Sequence, residues 1–154
     1  MAANVVFRPP TAADVEYLVG HLRQAERNDL QAMAADARQA LTQSIKLSPA
    51  GFCYAVEYDG ELLCICGCGA LTLISPVGFP WLVGTPALDR HAVKLTRLSR
   101  RGIKTMLERW PTLCNYIDCR NTRTLAWLQR LGFALGEQKE VVPGYPMVKF
   151  EMRV

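Results

Sequence analysis

Few residues of this chain combine a reactive type with a position that could support chemistry. The segment Leu113–Cys119 has the character of a β-strand, yet its interior carries the polar side chains of Asn115 and Asp118, with Tyr116 between them. Polar groups are unusual inside strands. A phenol or carboxylate beside a cleft can exchange protons with a substrate. We therefore take Tyr116 and Asp118, with Glu57 from an earlier strand, as the candidate catalytic residues.

A second polar set lies on a helix predicted over about 89–110. Five cations recur there at spacings of four, three, four and three residues, so they share one helical face: Arg90, Lys94, Arg97, Arg101 and Lys104. This basic stripe fits a solvated surface, contact with the phosphates of a nucleic acid or a coenzyme, or contact with an acidic protein partner. It contains little aromatic character, so base stacking is not indicated.

The cysteines do not form a metal-binding pattern. Cys64, Cys66 and Cys68 alternate along one strand, where ligands roughly 6–7 Å apart cannot close a tetrahedron around zinc. No CxxC pair is present, and no serine elbow or Gly-Lys-Ser phosphate loop appears. We expect no metal site and reduced thiols.

Length and composition bound the fold. With 154 residues, half of them apolar, the chain can bury one core, and we predict a single domain over 1–154. It has no apolar run of about 18 residues, and its first residues lack the pattern of a secretion signal. We expect a location in the cytoplasm of the cell that makes it.

The N-terminal third predicts one strand and two helices. Val5–Arg8 has strand character, and Thr11-x-x-Asp14 resembles a capping box that begins a helix. Asp29 is expected to cap a second helix that extends to about Leu47.

The middle of the chain predicts strands followed by a long helix. Phe52–Tyr58 and Glu61–Ala70 form a hairpin around Asp59-Gly60. Further strand signals lie at Leu71–Ile74 and Pro80–Gly84. The long helix covers about Asp89–Trp110.

The last third predicts a capped helix and a closing hairpin. Asn121 is a good N-cap for a helix over Thr122–Leu131, which Gly132 ends. Phe133–Val142 and Met147–Val154 then pair. The predicted order is βααβββαβαββ, an α/β fold (α+β mixed sheet) flanked by helices.

This order, with Asn121 opening the helix after the fifth strand and Gly132-Phe133 beginning the next, resembles the GNAT (Gcn5-related N-acetyltransferase) fold. The resemblance implies acetyl-CoA as cofactor, with its pyrophosphate on backbone amides where the central helix begins. The corresponding cofactor-binding positions are Val83, Gly84 and Thr85, with Asn121 as a further contact.

The chain departs from the family pattern where chemistry is expected. The glycine-rich phosphate loop is missing, and Pro86 removes an amide donor. Leu128 stands where the family often has a tyrosine that protonates the leaving thiolate. No acidic residue or histidine lies in residues 79–85. Proximity and orientation alone can still support some acyl transfer.

More narrowly, Met106–Tyr116, followed by Asn121 and Trp127–Phe133, resembles the GNAT-like internal virion proteins of short-tailed, podovirus-type bacteriophages. That resemblance implies a non-catalytic role in virion morphogenesis, with phage virion or assembly proteins as partners. The location would then be the bacterial host cytoplasm or the virion. The alternative is an active acetyl-CoA-dependent N-acetyltransferase that modifies a host or phage amine. We favour the virion role at this point because the phosphate-loop glycines and the tyrosine are missing.

Overall fold

Residues 4–154 are described by a computed structural model. Residues 1–3, which are part of the stretch in which no secretion signal is expected, lie outside the described part. The elements in chain order are β1 Val5–Arg8, α1 Ala12–Gly20, α2 Gln24–Met33, α3 Ala37–Leu47, β2 Cys53–Tyr58, β3 Glu61–Gly69, β4 Val77–Gly84, α4 Pro86–Arg109, β5 Thr112–Asp118, α5 Thr122–Leu131, β6 Ala134–Val142 and β7 Tyr145–Arg153.

The strands form one seven-stranded sheet in the order β1-β2-β3-β4-β5-β7-β6. All neighbouring strands run antiparallel except β4 and β5, which run parallel. Helices α1 and α3 pack on one face of the sheet, and α4 and α5 pack on the other. The predicted fold class, a mixed sheet flanked by helices, is confirmed.

The first helix begins as its sequence predicts. The Thr11 hydroxyl accepts from the amide of Asp14, and the Asp14 carboxylate accepts from the amide of Thr11. Arg8 donates to Asp14 at 2.6 and 2.8 Å, and this hydrogen-bonded cation is the largest cause that lowers the pKa of Asp14 to about 2. The capping box and the ion pair together fix α1 against β1.

The predicted helix from Asp29 to Leu47 is two helices. Ala34 adopts a left-handed conformation (φ 50°) and ends α2, and the Asp36 carboxylate accepts from the amide of Gln39 to begin α3. Asp29 therefore lies inside a helix and caps nothing. The N-terminal region contains one more helix than the sequence pattern predicted.

Leu71–Ile74, predicted as a strand, lies in the loop that joins β3 to β4. This loop is anchored at its base, because Arg109 donates to the carbonyl of Leu73 at 3.1 Å and Thr112 donates its amide to the carbonyl of Pro76 at 3.2 Å. Its aliphatic side chains point away from the core. The strand prediction is wrong here because an apolar run alone does not distinguish a buried strand from an exposed loop.

The C-terminal half follows its sequence closely. Asn121 caps α5 by accepting from the amide of Thr124 at 3.3 Å, and Gly132 ends it with a φ of 106°. Trp110 is fully buried beneath Leu113 and the α5 leucines. None of the helices in residues 4–154 is both long and apolar enough to cross a bilayer.

Candidate functional site

The two central strands separate soon after they meet. β4 and β5 pair only through Val77 with Thr112 and Gly78 with Leu113. Further along, the side-chain amide nitrogen of Asn115 donates to the carbonyl of Pro80 at 3.0 Å. The contact across the gap between β5 and β4 is made here by a side chain. The strands therefore form a wedge that opens toward their carboxyl ends, and we call this opening the β4–β5 cleft.

The edge of β4 that faces this cleft presents few unpaired peptide groups. Successive residues of a strand direct their peptide groups to opposite edges, so Pro80, Leu82 and Gly84 share the edge toward β5. Proline has no N–H, and Asn115 occupies the Pro80 carbonyl. Leu82 alone presents an N–H and a carbonyl that nothing in residues 4–154 bonds.

A groove continues from the cleft between α4 and α5. Its floor comes from Cys66 and Leu82, and its walls come from the two helices through Ala92, Ser99, Thr124 and Trp127. The indole of Trp127 donates to the Thr96 hydroxyl at 3.2 Å and ties the two helices together. The cavity volume of this groove is about 90 Å³, and much of the groove is open to solvent. That volume is below the roughly 300–1,000 Å³ of typical small-molecule pockets, so the groove is narrow and open.

The start of α4 carries a negative charge of its own. Asp89 lies in the first turn, where the helix dipole favours an anion. Two arginines neutralise it: Arg23 donates to it at 2.9 Å, and Arg123 lies 3.3 Å away. The position at which a helix of this kind could bind a phosphate is thus next to a carboxylate of the protein.

The end of β4 is bound by α2. The amide of Arg23 donates to the carbonyl of Gly84 at 3.2 Å, and the amide of Gly84 donates to Glu26 at 3.1 Å. Glu26 is buried (6% exposed) and accepts from Nε of Arg23 at 2.8 Å. Glu26 therefore occupies an amide that would otherwise be available to a ligand.

A polar cavity separates α2 from the end of β5. Its lining includes Asn28 and Asp29 from α2, Asp118 at the end of β5, and Arg120 and Asn121 from the turn that follows. Burial is the largest cause that raises the pKa of Asp29 to about 6. Its Oδ1 atom is buried and bonds nothing within residues 4–154.

The same cavity holds charges of both signs around Asp29. Glu26 and Asp118 raise its pKa further, whereas Arg23 and Arg120 act in the opposite direction. Asp118 is 2% exposed, and its hydrogen bonds from Arg120, the closest at 2.6 Å, are the largest cause that lowers its pKa. Asp29 is thus the carboxyl here that lacks a cation of its own.

The residues predicted to bind the cofactor all lie at or near the cleft, but most are occupied. Gly84 bonds α2, and the Thr85 hydroxyl donates to the carbonyls of Leu62 and Leu63 at 3.1 Å. Val83 pairs with Ile65 inside the sheet. Asn121 caps α5 and also lines the polar cavity.

The three candidate catalytic residues are not brought together. Glu57 accepts from Arg8 at 2.9 Å and lies on β2, three strands away from β5 in the sheet. Asp118 reaches the polar cavity, and Tyr116, 39% exposed, lies on the same face of β5 by alternation. Leu128 is buried in the core at the position of the expected tyrosine.

The basic stripe lies on the exposed side of α4. Arg90 pairs with Glu61 at 3.1 Å, and Lys94 donates to the Tyr58 hydroxyl at 2.7 Å. Arg97, Arg101 and Lys104 contact no carboxylate within residues 4–154. Binding of phosphate or of an acidic partner by this stripe stays a prediction.

The sequence did not predict that Arg23, Glu26 and Asp89 belong to the region around the cleft. Their partners are distant in the chain, since Arg23 and Asp89 are 66 residues apart. The one local signal was the Asp36 N-cap, which would have separated α3 from α2 and so placed Arg23 and Glu26 on a helix of their own. The six cysteines are all unpaired thiols, and no three metal-ligating side chains cluster within 4–154.

Comparison with known proteins finds similarity in structure but not in sequence. No protein-family model matches the chain, and no curated protein matches its sequence. A GNAT-family acetyltransferase from Bacillus anthracis superposes with a TM-score of 0.72 at 9% identity, over 97% of this chain and 94% of that one. The coenzyme A complex of RimL, an alpha-N-protein acetyltransferase, gives 0.69 at 12% identity over 97% and 94%.

A third structure matches to the same degree. The self-immunity acetyltransferase MccE, in complex with acetyl-CoA and AMP, superposes with a TM-score of 0.69 at 12% identity, over 97% of this chain and 92% of that one. At such identities the likeness establishes the fold alone.

Proposed function

We propose that this chain, which has the fold of the GNAT acetyltransferases, binds acetyl-CoA and transfers its acetyl group to an amine. The observation that carries the proposal is the early separation of β4 and β5. It leaves the peptide edge of Leu82 facing a cleft that continues into the α4–α5 groove. Solved structures of this fold with coenzyme A or acetyl-CoA bound support the proposal.

The residues present fit one part of acetyl-CoA better than the other. The N–H and carbonyl of Leu82 match the amides of an extended pantetheine arm, and such a slender arm would lie along the open groove lined by Ala92 and Trp127. The pyrophosphate fits less well, because the carboxylate of Asp89 lies in the first turn of α4 and repels a phosphate there. Arg123, largely exposed at the end of the groove, is the cation placed to meet a phosphate.

The chemistry asked of the protein is modest. Bound acetyl-CoA supplies an activated thioester. The chain contributes orientation of that ester against an amine and exclusion of water from the cleft. The amine must lose a proton before or during attack, and Asp29, a partly buried carboxyl with a pKa of about 6, is suited to accept it. As the new amide bond forms, the C–S bond of the thioester breaks and the coenzyme A thiolate leaves and takes up a proton from solvent.

Calorimetric titration tests the binding step. Native protein should bind acetyl-CoA and desulfo-CoA saturably in the micromolar range and bind ATP more weakly. Ala92→Trp fills the groove and should weaken acetyl-CoA binding at least about tenfold. Val93→Trp is the matched control, since Val93 is the next residue on α4 and is 84% exposed. Equal binding by native protein and both variants would remove the groove from the proposal.

A second candidate function is a non-catalytic one. The observation that favours it is the pairing of Glu26 and Asp89 with arginines at the place where phosphate would bind. Under this proposal the chain is a GNAT-like virion protein of a podovirus-type phage, as the segment 106–133 suggests. The structural comparisons bear on the fold and not on a phage origin. Absence of acetyl-CoA binding at millimolar ligand, with the chain detected by mass spectrometry in purified particles, would support it.

A further inference from the structure

The β3–β4 loop presents an unusual concentration of exposed aliphatic side chains. Leu71, Leu73 and Ile74 are 81%, 87% and 92% exposed. Scattered single apolar residues on a surface need no explanation, but several together mark a contact surface. Leu47, half exposed at the end of α3, lies beside the last residue of β3. We call these four residues the apolar tip.

The side chains of the apolar tip are not part of the hydrophobic core, and they lie far from the β4–β5 cleft. β4 begins next to it at Val77 and reaches the cleft at Gly84, so the two sites are separated by the length of a strand, roughly 25 Å. The loop is braced at its base by the bond from Arg109 to Leu73 and by the Ser75 hydroxyl, which bonds Val77. The backbone is therefore held while the side chains project outward.

Cations border the tip on both faces of the sheet. Lys46 precedes Leu47 on α3, and Arg109 ends α4 at the base of the loop. Neither forms an ion pair within residues 4–154. Glu108 is the exposed anion next to Arg109 in the chain, and Arg153, one strand away, is already paired with Glu151 at 2.9 Å. The border is thus basic, with one opposing charge.

We propose that the apolar tip docks onto an anionic phospholipid surface. A projecting, convex group of aliphatic side chains can enter the boundary between headgroups and acyl chains without a preformed pocket on the other side. Lys46 and Arg109 then lie at headgroup level, where lipid phosphates and anionic headgroups attract them. This inference does not depend on acetyl-CoA binding or on acyl transfer.

Co-sedimentation with vesicles tests the docking. Native protein should sediment with vesicles of phosphatidylcholine containing 30% phosphatidylglycerol, and much less with phosphatidylcholine alone. Leu73→Ser combined with Ile74→Ser should reduce the partition coefficient at least about tenfold. Val93→Ser is the control, because it removes an equally exposed aliphatic side chain from α4. It should change partitioning less than about twofold.

A charge variant separates the two parts of the proposal. Lys46→Glu with Arg109→Gln, which keeps a donor for the Leu73 carbonyl, should weaken binding to the anionic vesicles and leave the thermal unfolding of the protein nearly unchanged. Equal binding of native protein to neutral and anionic vesicles would overturn the anionic part. Absence of sedimentation with either vesicle, or no loss in the serine variant, would overturn the docking itself. A dimer in sedimentation velocity that the serine variant abolishes, without vesicle binding, would assign the tip to a second copy of the chain instead.

Discussion

The two ends of β4 differ in how their side chains are used. At the cleft end, Arg23, Glu26 and Asp89 pair with one another and with the backbone of Gly84. At the opposite end, the aliphatic side chains of Leu73 and Ile74 contact little of the protein. A ligand at the cleft must therefore compete with partners already in place, whereas contact at the tip displaces only water.

This difference predicts different kinds of recognition. Competition with internal ion pairs would make the proposed phosphate binding at the cleft selective, because a weak anion cannot separate Arg23 or Arg123 from Asp89. Burial of the tip is non-directional and depends on area alone. Substitutions that break the ion pairs at the cleft end should therefore lower the free energy of unfolding. Substitutions in the apolar tip should change only the association of the protein with a partner surface.

The largest expected effect is on stability at the cleft end. Arg23→Ala leaves Glu26 buried without its cation and should lower the free energy of unfolding by about 3–5 kcal/mol. Urea denaturation monitored by circular dichroism measures this. Arg27→Ala, an exposed arginine on the same helix, is the control and should stay within about 0.5 kcal/mol of native. A loss below about 1 kcal/mol for Arg23→Ala would indicate that the pair is solvated.

The next effect concerns the carboxylate at the start of α4. Asp89→Asn removes that negative charge and releases Arg23 and Arg123, so acetyl-CoA should bind about three- to tenfold more tightly. Calorimetry measures the change. Glu108→Gln alters net charge equally at the other end of α4 and should leave affinity unaltered. Weaker binding by Asp89→Asn would place the pyrophosphate elsewhere.

A smaller effect should follow pH at Asp29. Its folded pKa, about 6, lies above the unfolded value, so the stability it contributes is present below about pH 4 and is lost as pH rises through 6. Asp29→Asn stays uncharged. The stability of the variant relative to native protein should therefore increase between pH 4 and pH 7, by about 1 kcal/mol for a partly exposed group. A difference that is constant with pH would show that Asp29 keeps an ordinary pKa.

The smallest effect is expected at the tip. Leu73→Ser with Ile74→Ser should change the free energy of unfolding by less than about 0.5 kcal/mol, because the side chains are already in water. The thermal midpoint measures this. A marked destabilisation would mean that the two side chains pack against the protein in solution, and the contrast between the two ends of β4 would disappear.

The sequence predicted what local chemistry determines. The bounds of α5 follow from Asn121 and Gly132, and those signals act within one helical turn. The boundary between α2 and α3 was missed, because an apolar spacing that continues through Met33 and Ala37 hides a left-handed Ala34. The periodicity of apolar residues shows which face of a helix is buried, but it does not show whether one helix continues or two helices follow each other.

The candidate site was predictable only in outline. Gly84 and Thr85 were placed at the end of the fourth strand correctly, as β4 and α4 show. Their occupation by Glu26 and by the carbonyls of β3 depends on contacts between segments distant in the chain. The same holds for the exposure of the Leu71–Ile74 segment, since its residue types suit a strand equally well.

Pro80 has a further consequence for solubility. Two strands that diverge expose an edge, and an exposed edge can pair with a strand of another molecule and start aggregation. Here the N–H is missing at Pro80, Asn115 covers its carbonyl, and α2 covers Gly84. Within residues 4–154, Leu82 is the one residue of this edge whose N–H and carbonyl are both open, and a single residue is too short to pair with a strand of another molecule. The β4–β5 cleft can thus stay open without offering an edge on which further copies of the chain could polymerise.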